Sequence, residues 1–284
     1  MKKVLSALLL TVLVLALAAC GTKDKEDGAS GSKNADGGNK ESTKIVVGAS
    51  NTPHAGILEK VKPLLKEKGI DLEIETYQEY ILPNKDLESG VLDANYFQTI
   101  PYLESQIADF DYDFVNAGGI HIEPMGVYSK EYKSLDELPD GATVLMSNSV
   151  SDHGRVLEML EENGLITLAE GVDKVKAELT DIVDNPKNLK FEPDYEAALL
   201  PTLYNNNEGD AVLINSNYAI DAGLNPLEDS IAIEKTDSPY VNVITVRSGD
   251  EDNEAIKALV EVLTSEEIQE FILKEWGGSV VPVN

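Results

Sequence analysis

From Lys44 onward, β-branched runs alternate with stretches of helical periodicity, and this alternation restricts the fold more than any other feature of the 284-residue chain. KIVVGAS (44–50) is strand-like, and Ile57, Leu58, Val61, Leu64 and Leu65 then share one helical face, with Gly69 as a stop. Pro63 inside that pattern predicts a kink or a restart. DLEIETY (71–77) reads as a second strand and residues 86–90 as a short helix. Further strands are expected at 125–129, 142–147, 210–215 and 241–247, with helices near 154–163, 196–204 and 253–276. Within the last, Thr264-Ser265-Glu266-Glu267 offers a capping box that divides it in two. Strands alternating with helices imply an α/β fold with mainly parallel sheets flanked by helices.

The residues from Lys44 suffice for one large domain or two ordinary lobes. A hydrophobic fraction of 42% with 26% charged residues is globular composition. The formal net charge of −28 repels nucleic acid and anionic headgroups, so no nucleic-acid partner is expected and a monomer is.

The first twenty residues form an address. Lys2 and Lys3 precede a largely apolar run from Val4 to Ala19, and Leu17-Ala18-Ala19-Cys20 places small residues before the chain's single cysteine. The run is short for a membrane span. It resembles a bacterial lipobox, with residues 1–19 as signal peptide and Cys20 as the lipid attachment site; an ordinary signal peptide with an incidental cysteine is the alternative. One cysteine cannot form an internal disulfide. Cleavage removes two basic residues and no acidic one, taking the charge from −28 to −30, so attachment rests on the acyl chains. Residues 20–43, rich in Gly, Ser, Lys, Asp and Asn, read as a flexible lipidated linker.

Ligands of α/β sheets sit at the carboxyl ends of strands, and four stretches have suitable chemistry. DANYFQTIPYL (93–103) packs Tyr96, Phe97 and Tyr102 among polar groups and fits neither strand nor helix periodicity, which suits a small-molecule pocket or a core-packing helix start. SNSVSDHGR (147–155) follows a strand and opens a helix, with Ser151 or Asp152 as N-cap. Arg155 in that first turn runs against the macrodipole preference for acids, so it is either an anion receptor or a surface residue. Asn215 and Asn217 follow a buried-looking strand, and Asn242 sits among β-branched residues where a polar group wants a partner.

In order along the chain, the lipobox, YILPNKDLESGVLDANYFQTIPYL, EPMGVYS, NPKNLKF, VLINSNYA and SPYVNVITVR resemble the methionine-binding lipoproteins of bacterial ABC importers, the NlpA lipoprotein family. The resemblance covers 44–284 and implies a two-lobed periplasmic-binding-protein-like fold of type II. Lobe I would be 44–128 with 241–284, and lobe II 129–240. It also implies an amino-acid ligand in the cleft, delivery to an ABC permease with its ATPase, and a lipid anchor on the extracytoplasmic face of the cell membrane. By the resemblance, Arg155 takes the ligand carboxylate, Asn215 and Asn242 its polar backbone atoms, and Tyr80, Phe97 and Tyr102 its side chain. Two positions depart from the family pattern: Thr99 stands where the family usually has His, and Asp152 where it usually has Asn. Asp152 then either caps the helix or faces a ligand ammonium. D-methionine, another amino acid or a short peptide stays open as ligand.

Enzyme signatures are lacking: there is no Gly-x-Ser-x-Gly, His-Glu-x-x-His or phosphate-binding loop. His121 and Glu123 can share a strand face, but two ligands are too few for a metal, and His54, His121 and His153 read as structural. No cofactor or metal is expected. A small-substrate hydrolase and a surface adhesin or signalling lipoprotein are the other classes such a chain allows.

Overall fold

The structure, a computed structural model, describes residues 42–283. The expected signal peptide, Cys20 and almost all of the linker lie outside the described residues.

β1 (Thr43–Ser50) runs through a π-type turn (Asn51–Ala55) into α1 (Gly56–Glu67), and β2 (Ile70–Tyr77) pairs parallel with β1. α2 (Leu82–Glu88), β3 (Ala94–Thr99), α3 (Ile100–Phe110) and β4 (Phe114–Ile122) follow. The chain then crosses to a second sheet. There it lays down β5 (Gly126–Tyr128), β6 (Thr143–Ser147), α4 (Val150–Glu162), the small pair β7 (Thr167–Leu168) and β8 (Ile182–Asp184), and β9 (Lys190–Tyr195). α5 (Leu200–Asn205), β10 (Ala211–Ile214), α6 (Ser216–Asp221), α7 (Pro226–Asp229) and β11 (Ala232–Ile233) complete that part. The chain returns to the first sheet with β12 (Val241–Arg247), and α8 (Glu254–Leu263), α9 (Glu266–Trp276) and β13 (Val281–Pro282) finish it.

The result is the two-lobed α/β architecture of type II periplasmic binding proteins. One sheet has the order β13-β4-β12-β3-β1-β2 and the other β11-β5-β10-β6-β9. The sheets are more mixed than a βαβ alternation predicts. β1 is parallel to β2 and β3, and β6 to β9 and β10, but β12 enters antiparallel to β3 and β4, and β5 antiparallel to β10. The reason is topological: β5 and β12 are the strands on which the chain arrives from the other lobe. β5 hydrogen-bonds with β10 and β11 in the second sheet.

Each sheet has its own core. Val47, Leu58, Leu65, Ile244 and Leu259 are fully buried in the first lobe, and Val144, Leu157 and Leu160 in the second. α1 is continuous through Pro63, contrary to the expected kink. Pro63 and Glu59, whose carbonyl loses its partner, lie on the exposed side, while Ile57, Leu58, Val61 and Leu65 hold the opposite face in the core. The C-terminal helical stretch does divide, at Thr264 and Ser265, though Ser265 Oγ bonds Val262 O rather than forming the expected capping box. Among the described residues no helix is long and apolar enough to cross a membrane.

Candidate ligand site between the two sheets

The aromatic stretch resists a single period because it is two elements. It is strand to Thr99 and helix from Ile100, with Thr99 Oγ1 accepting from Tyr102 N at 3.4 Å as N-cap and Pro101 in the first turn. On the β12 side, Val243 pairs with Gln98 and Ile244 with Tyr96, so Phe97 is a bulged residue. Such a bulge re-aims a side chain. The rings of Tyr80, Phe97 and Tyr102 form a triangle with centroids 5.9, 5.9 and 6.0 Å apart, and Tyr218 from the second lobe lies 5.0 Å from Tyr80. Tyr102 donates its hydroxyl to Tyr80 O at 3.1 Å, and Tyr80 donates to Asn217 Oδ1 at 2.7 Å. Burial raises both phenols above their usual range, so they remain neutral donors.

Facing these rings, the first two turns of α4 bury Asp152, His153, Gly154 and Arg155; with Ser149 as N-cap, Arg155 stands in the second turn rather than in the first turn that the sequence suggests. Arg155, 4% exposed, donates from Nε and Nη2 to Glu234 Oε2 at 2.9 and 2.5 Å and from Nη2 to Glu123 O at 2.7 Å. Its guanidinium lies 4.6 Å from the centre of the Tyr240 ring. Nη1 lies 3.5 Å from Asp152 Oδ1. Asp152 does not cap its own helix, where Ser149 stands at the N-cap. Instead its Oδ2 accepts from Asn215 Nδ2 at 3.1 Å, leaving the buried Asn215 Oδ1 without a partner.

On the first-lobe side, Asn242 sits near the start of β12 with Oδ1 3.0 Å from His54 Nε2. His54 Nε2 also lies 3.2 Å from Glu123 Oε1, which accepts from His121 Nε2 at 2.7 Å; His121 Nδ1 meets Tyr96 Oη at 2.5 Å. Burial pulls His54 down to about 4 and His121 to about 3, so both rings are neutral, and burial raises the Glu123 carboxyl. Neutral His54 donating from Nε2 occupies Asn242 Oδ1 and leaves the Asn242 Nδ2 donors for the cleft. The third ligand-capable group that sequence spacing lacked is thus supplied by His54: among the described residues, His54, His121 and Glu123 bring such atoms within 4.8 Å of one another. Here the Glu123 carboxylate oxygen lies within reach of both imidazoles, at 3.2 Å from His54 Nε2 and 2.7 Å from His121 Nε2, while the buried His54 Nδ1 has no partner.

All eight residues singled out from sequence, Tyr80, Phe97, Thr99, Tyr102, Asp152, Arg155, Asn215 and Asn242, line one cavity of about 30 Å³ between the sheets. That is room for one or two water molecules. His54, Gln98, Glu123 and Ser216 also line it and were not proposed as site residues. A signal for His54 existed, because it follows the carboxyl end of β1, where such sheets place ligands. Ser216 donates its hydroxyl to Pro124 O at 2.5 Å. Glu234, the main partner of Arg155, lies outside the cavity in a neighbouring groove.

Comparison with known proteins gives this geometry a context. A curated methionine-binding lipoprotein, MetQ of Bacillus subtilis (strain 168), is 49% identical over the full length of both chains. A pheromone cOB1 precursor/lipoprotein of the YaeC family from Enterococcus faecalis V583 is 58% identical with a TM-score of 0.83, over 85% of this chain and 100% of that one. A nutrient-binding protein of Burkholderia cenocepacia, solved bound to methionine, is 41% identical with a TM-score of 0.80, over 84% of this chain and 100% of that one. The NlpA lipoprotein model matches residues 45–284. With 49% identity to one such lipoprotein over the full chain and residues 45–284 matched by the family model, the chain belongs to the NlpA lipoprotein family.

Proposed function

We propose that this chain is the solute-binding protein of an ABC importer, held to the extracytoplasmic face of the membrane by lipid on Cys20, and that it binds methionine or a close relative between its lobes. The observation that carries the reading is the distribution of the lining. Tyr80, Phe97, Thr99, Tyr102 and Asn242 come from the first lobe, and Asp152, Arg155 and Asn215 from the second. A ligand touching both groups ties the lobes together. Lobe I comprises residues from 44 to the crossing after β4 together with 241–284, and lobe II the residues between.

The ring triangle suits a thioether side chain, since sulfur packs favourably against aromatic rings. The Asn242 Nδ2 and Arg155 Nη1 donors suit its carboxylate. A cavity of about 30 Å³ admits no amino acid as it stands, so entry needs the lobes to part. Ligand then biases the equilibrium toward closure, and the closed form is what a permease and its ATPase recognise. The family is one of substrate-binding proteins, and the site is built to hold a ligand rather than convert it: Ser216 is spent on a carbonyl and has no imidazole partner.

A thermal-shift panel of L- and D-amino acids and short peptides on ligand-stripped protein tests this. Ligand at a hundredfold its dissociation constant adds about 2.7 kcal/mol of stability. A higher melting temperature with methionine is expected; a response to another compound alone would move the ligand, and no response to any would remove the reading.

A further inference from the structure

Beside the cleft, on the first-lobe side, two histidines and a carboxylate meet in the interior. His54 follows β1, His121 stands near the end of β4, and Glu123 is the residue after that strand. They are 1%, 0% and 7% exposed, and His54 and Glu123 also line the cavity. Glu123 Oε1 lies 3.2 Å from His54 Nε2 and 2.7 Å from His121 Nε2, and Asn242 Oδ1 lies 3.0 Å from His54 Nε2. A tetrahedral ion with bonds of about 2.0–2.2 Å to nitrogen and oxygen sets its ligand atoms roughly 3.4 Å apart. The His54 edges are within a few tenths of an ångström of that spacing, and Glu123 and His121 have to ease apart by roughly 0.7 Å.

The chemistry of the cluster also favours an ion. Among the described residues no Lys or Arg forms an ion pair with the buried Glu123 carboxylate, whose partners are the two imidazoles. A buried carboxylate without a cation is costly, and a divalent ion supplies the charge. Burial favours the neutral imidazole, which is the form that ligates metals. Each ring can also turn its proton away from the shared centre. His121 Nδ1 lies 2.5 Å from Tyr96 Oη, and a phenol oxygen accepts as well as donates, so a proton at Nδ1 has a partner and Nε2 is free. His54 Nδ1 is buried with no partner, so a proton moved there displaces no existing hydrogen bond. Asn242 Oδ1, released from Nε2–H, is then placed for a fourth position.

We infer that His54 Nε2, His121 Nε2 and Glu123 Oε1 form a binding site for a divalent transition ion of the zinc class, with Asn242 Oδ1 as fourth ligand. Two imidazoles with a carboxylate suit zinc and its neighbours, whereas magnesium and calcium want oxygen ligands. The ion enters from the cleft, because His54, Glu123 and Asn242 all line the cavity. Once bound, it ties the end of β1 to β4 and β12, the strands by which the chain leaves the first sheet and returns to it. The site goes beyond solute binding and does not depend on which amino acid the cleft holds.

The test is a zinc titration of the full chain, freed of metal and of carried-over ligand, by competition with a chromophoric chelator in excess magnesium, which occupies surface carboxylates. One zinc ion per chain is expected, undisturbed by magnesium. His54→Gln should weaken zinc binding about a hundredfold or more, since loss of a hydrogen-bonding partner behind a ligand already costs about 10–100-fold. Tyr96→Phe removes the hydroxyl behind His121 and keeps the ring; it should weaken zinc about tenfold or more, and it reads the site even if His54→Gln folds poorly. Cobalt in place of zinc should give the intense visible bands of a four-coordinate centre. No zinc uptake by wild type, or uptake abolished by magnesium, overturns the inference. So do weak six-coordinate cobalt bands, and so does a zinc affinity that neither variant changes, which assigns the ion to surface groups.

Discussion

His54 Nε2 lies 3.0 Å from Asn242 Oδ1 and 3.2 Å from Glu123 Oε1, so one buried imidazole N–H joins the start of β12 to the segment on which the chain leaves for the second lobe. Both crossings between lobes are thereby tied to a residue at the end of β1. Burial requires this ring to be neutral, because the charged form would lose its hydration there.

That requirement sets an acid limit. Because burial lowers the folded-state values of His54 to about 4 and of His121 to about 3, the unfolded chain binds protons first as pH falls. The associated stability is complete above the ordinary histidine value and is lost as pH drops toward those folded-state values. His54 alone accounts for about 3 kcal/mol of the loss. Glu123, raised by burial, takes up a proton early in the folded state and offsets part of it. Melting temperatures of ligand-free protein between pH 7.5 and 4 should fall steeply for wild type and less steeply for His54→Gln, which keeps an N–H for Asn242. Parallel curves would count against the buried neutral ring.

Arg155 should matter for folding as much as for ligand. Its guanidinium meets the half-buried Glu234 twice and the buried Tyr240 ring face. Arg155→Ala strands the Glu234 carboxylate, and removal of one partner of a buried pair costs about 3–5 kcal/mol. The variant should melt well below wild type even without ligand. Arg155→Met combined with Glu234→Leu removes both charges and should recover most of that stability while methionine affinity stays low; a double variant no more stable than Arg155→Ala would refute the pairing argument.

The residues that were legible from sequence are those whose chemistry conflicts with their neighbourhood. Asn242 is polar in a β-branched run, and Phe97, Thr99 and Tyr102 break any single period because strand gives way to helix at Thr99. Partners were not legible. Glu234 lies 79 residues from Arg155 and Asn242 lies 188 from His54, and no local pattern encodes either pairing. β4 carries no clear strand pattern in the sequence, because Gly118 and Gly119 interrupt its apolar residues. The reason for Gly118 is packing: a Cβ there would stand 2.5 Å from Val260 Cγ1 on α8. The mixed sheet pairing was equally hidden, since strand direction follows from where the chain crosses and not from composition.

Gly154 offers a test of how the N-terminal end of α4 is seated. A Cβ at this position would lie 2.4 Å from Lys174 O and 2.5 Å from Val175 O, backbone atoms that cannot turn aside. Tyr240 Oη approaches Val175 O as well, at 3.4 Å. Gly154→Ala should therefore push α4 from residues 174–176 at a cost of about 1–3 kcal/mol. It should also weaken methionine binding, because Asp152 and Arg155 flank it. Calorimetry and a dissociation constant on one preparation check both effects; unchanged affinity with lowered stability would mean that the strain is absorbed away from the site.

Tyr80 makes the contact that most directly opposes lobe opening. Its hydroxyl, on the first lobe, donates to Asn217 Oδ1 at 2.7 Å on α6 of the second, and Tyr218 adds a 3.3 Å bond to Gln78 O. The ring itself packs on Phe97 and Tyr102 whether or not the hydroxyl is present. Tyr80→Phe thus removes a cross-lobe bond and preserves the aromatic wall. A neutral hydrogen bond is worth about 1 kcal/mol net, or roughly fivefold in an equilibrium constant. That change should fall on the closed state and hence on ligand release: dissociation about fivefold faster, association nearly unchanged. Stopped-flow kinetics using intrinsic fluorescence can separate the two rates. A slower association with unchanged release would place the hydroxyl's role in ligand capture, before the lobes meet.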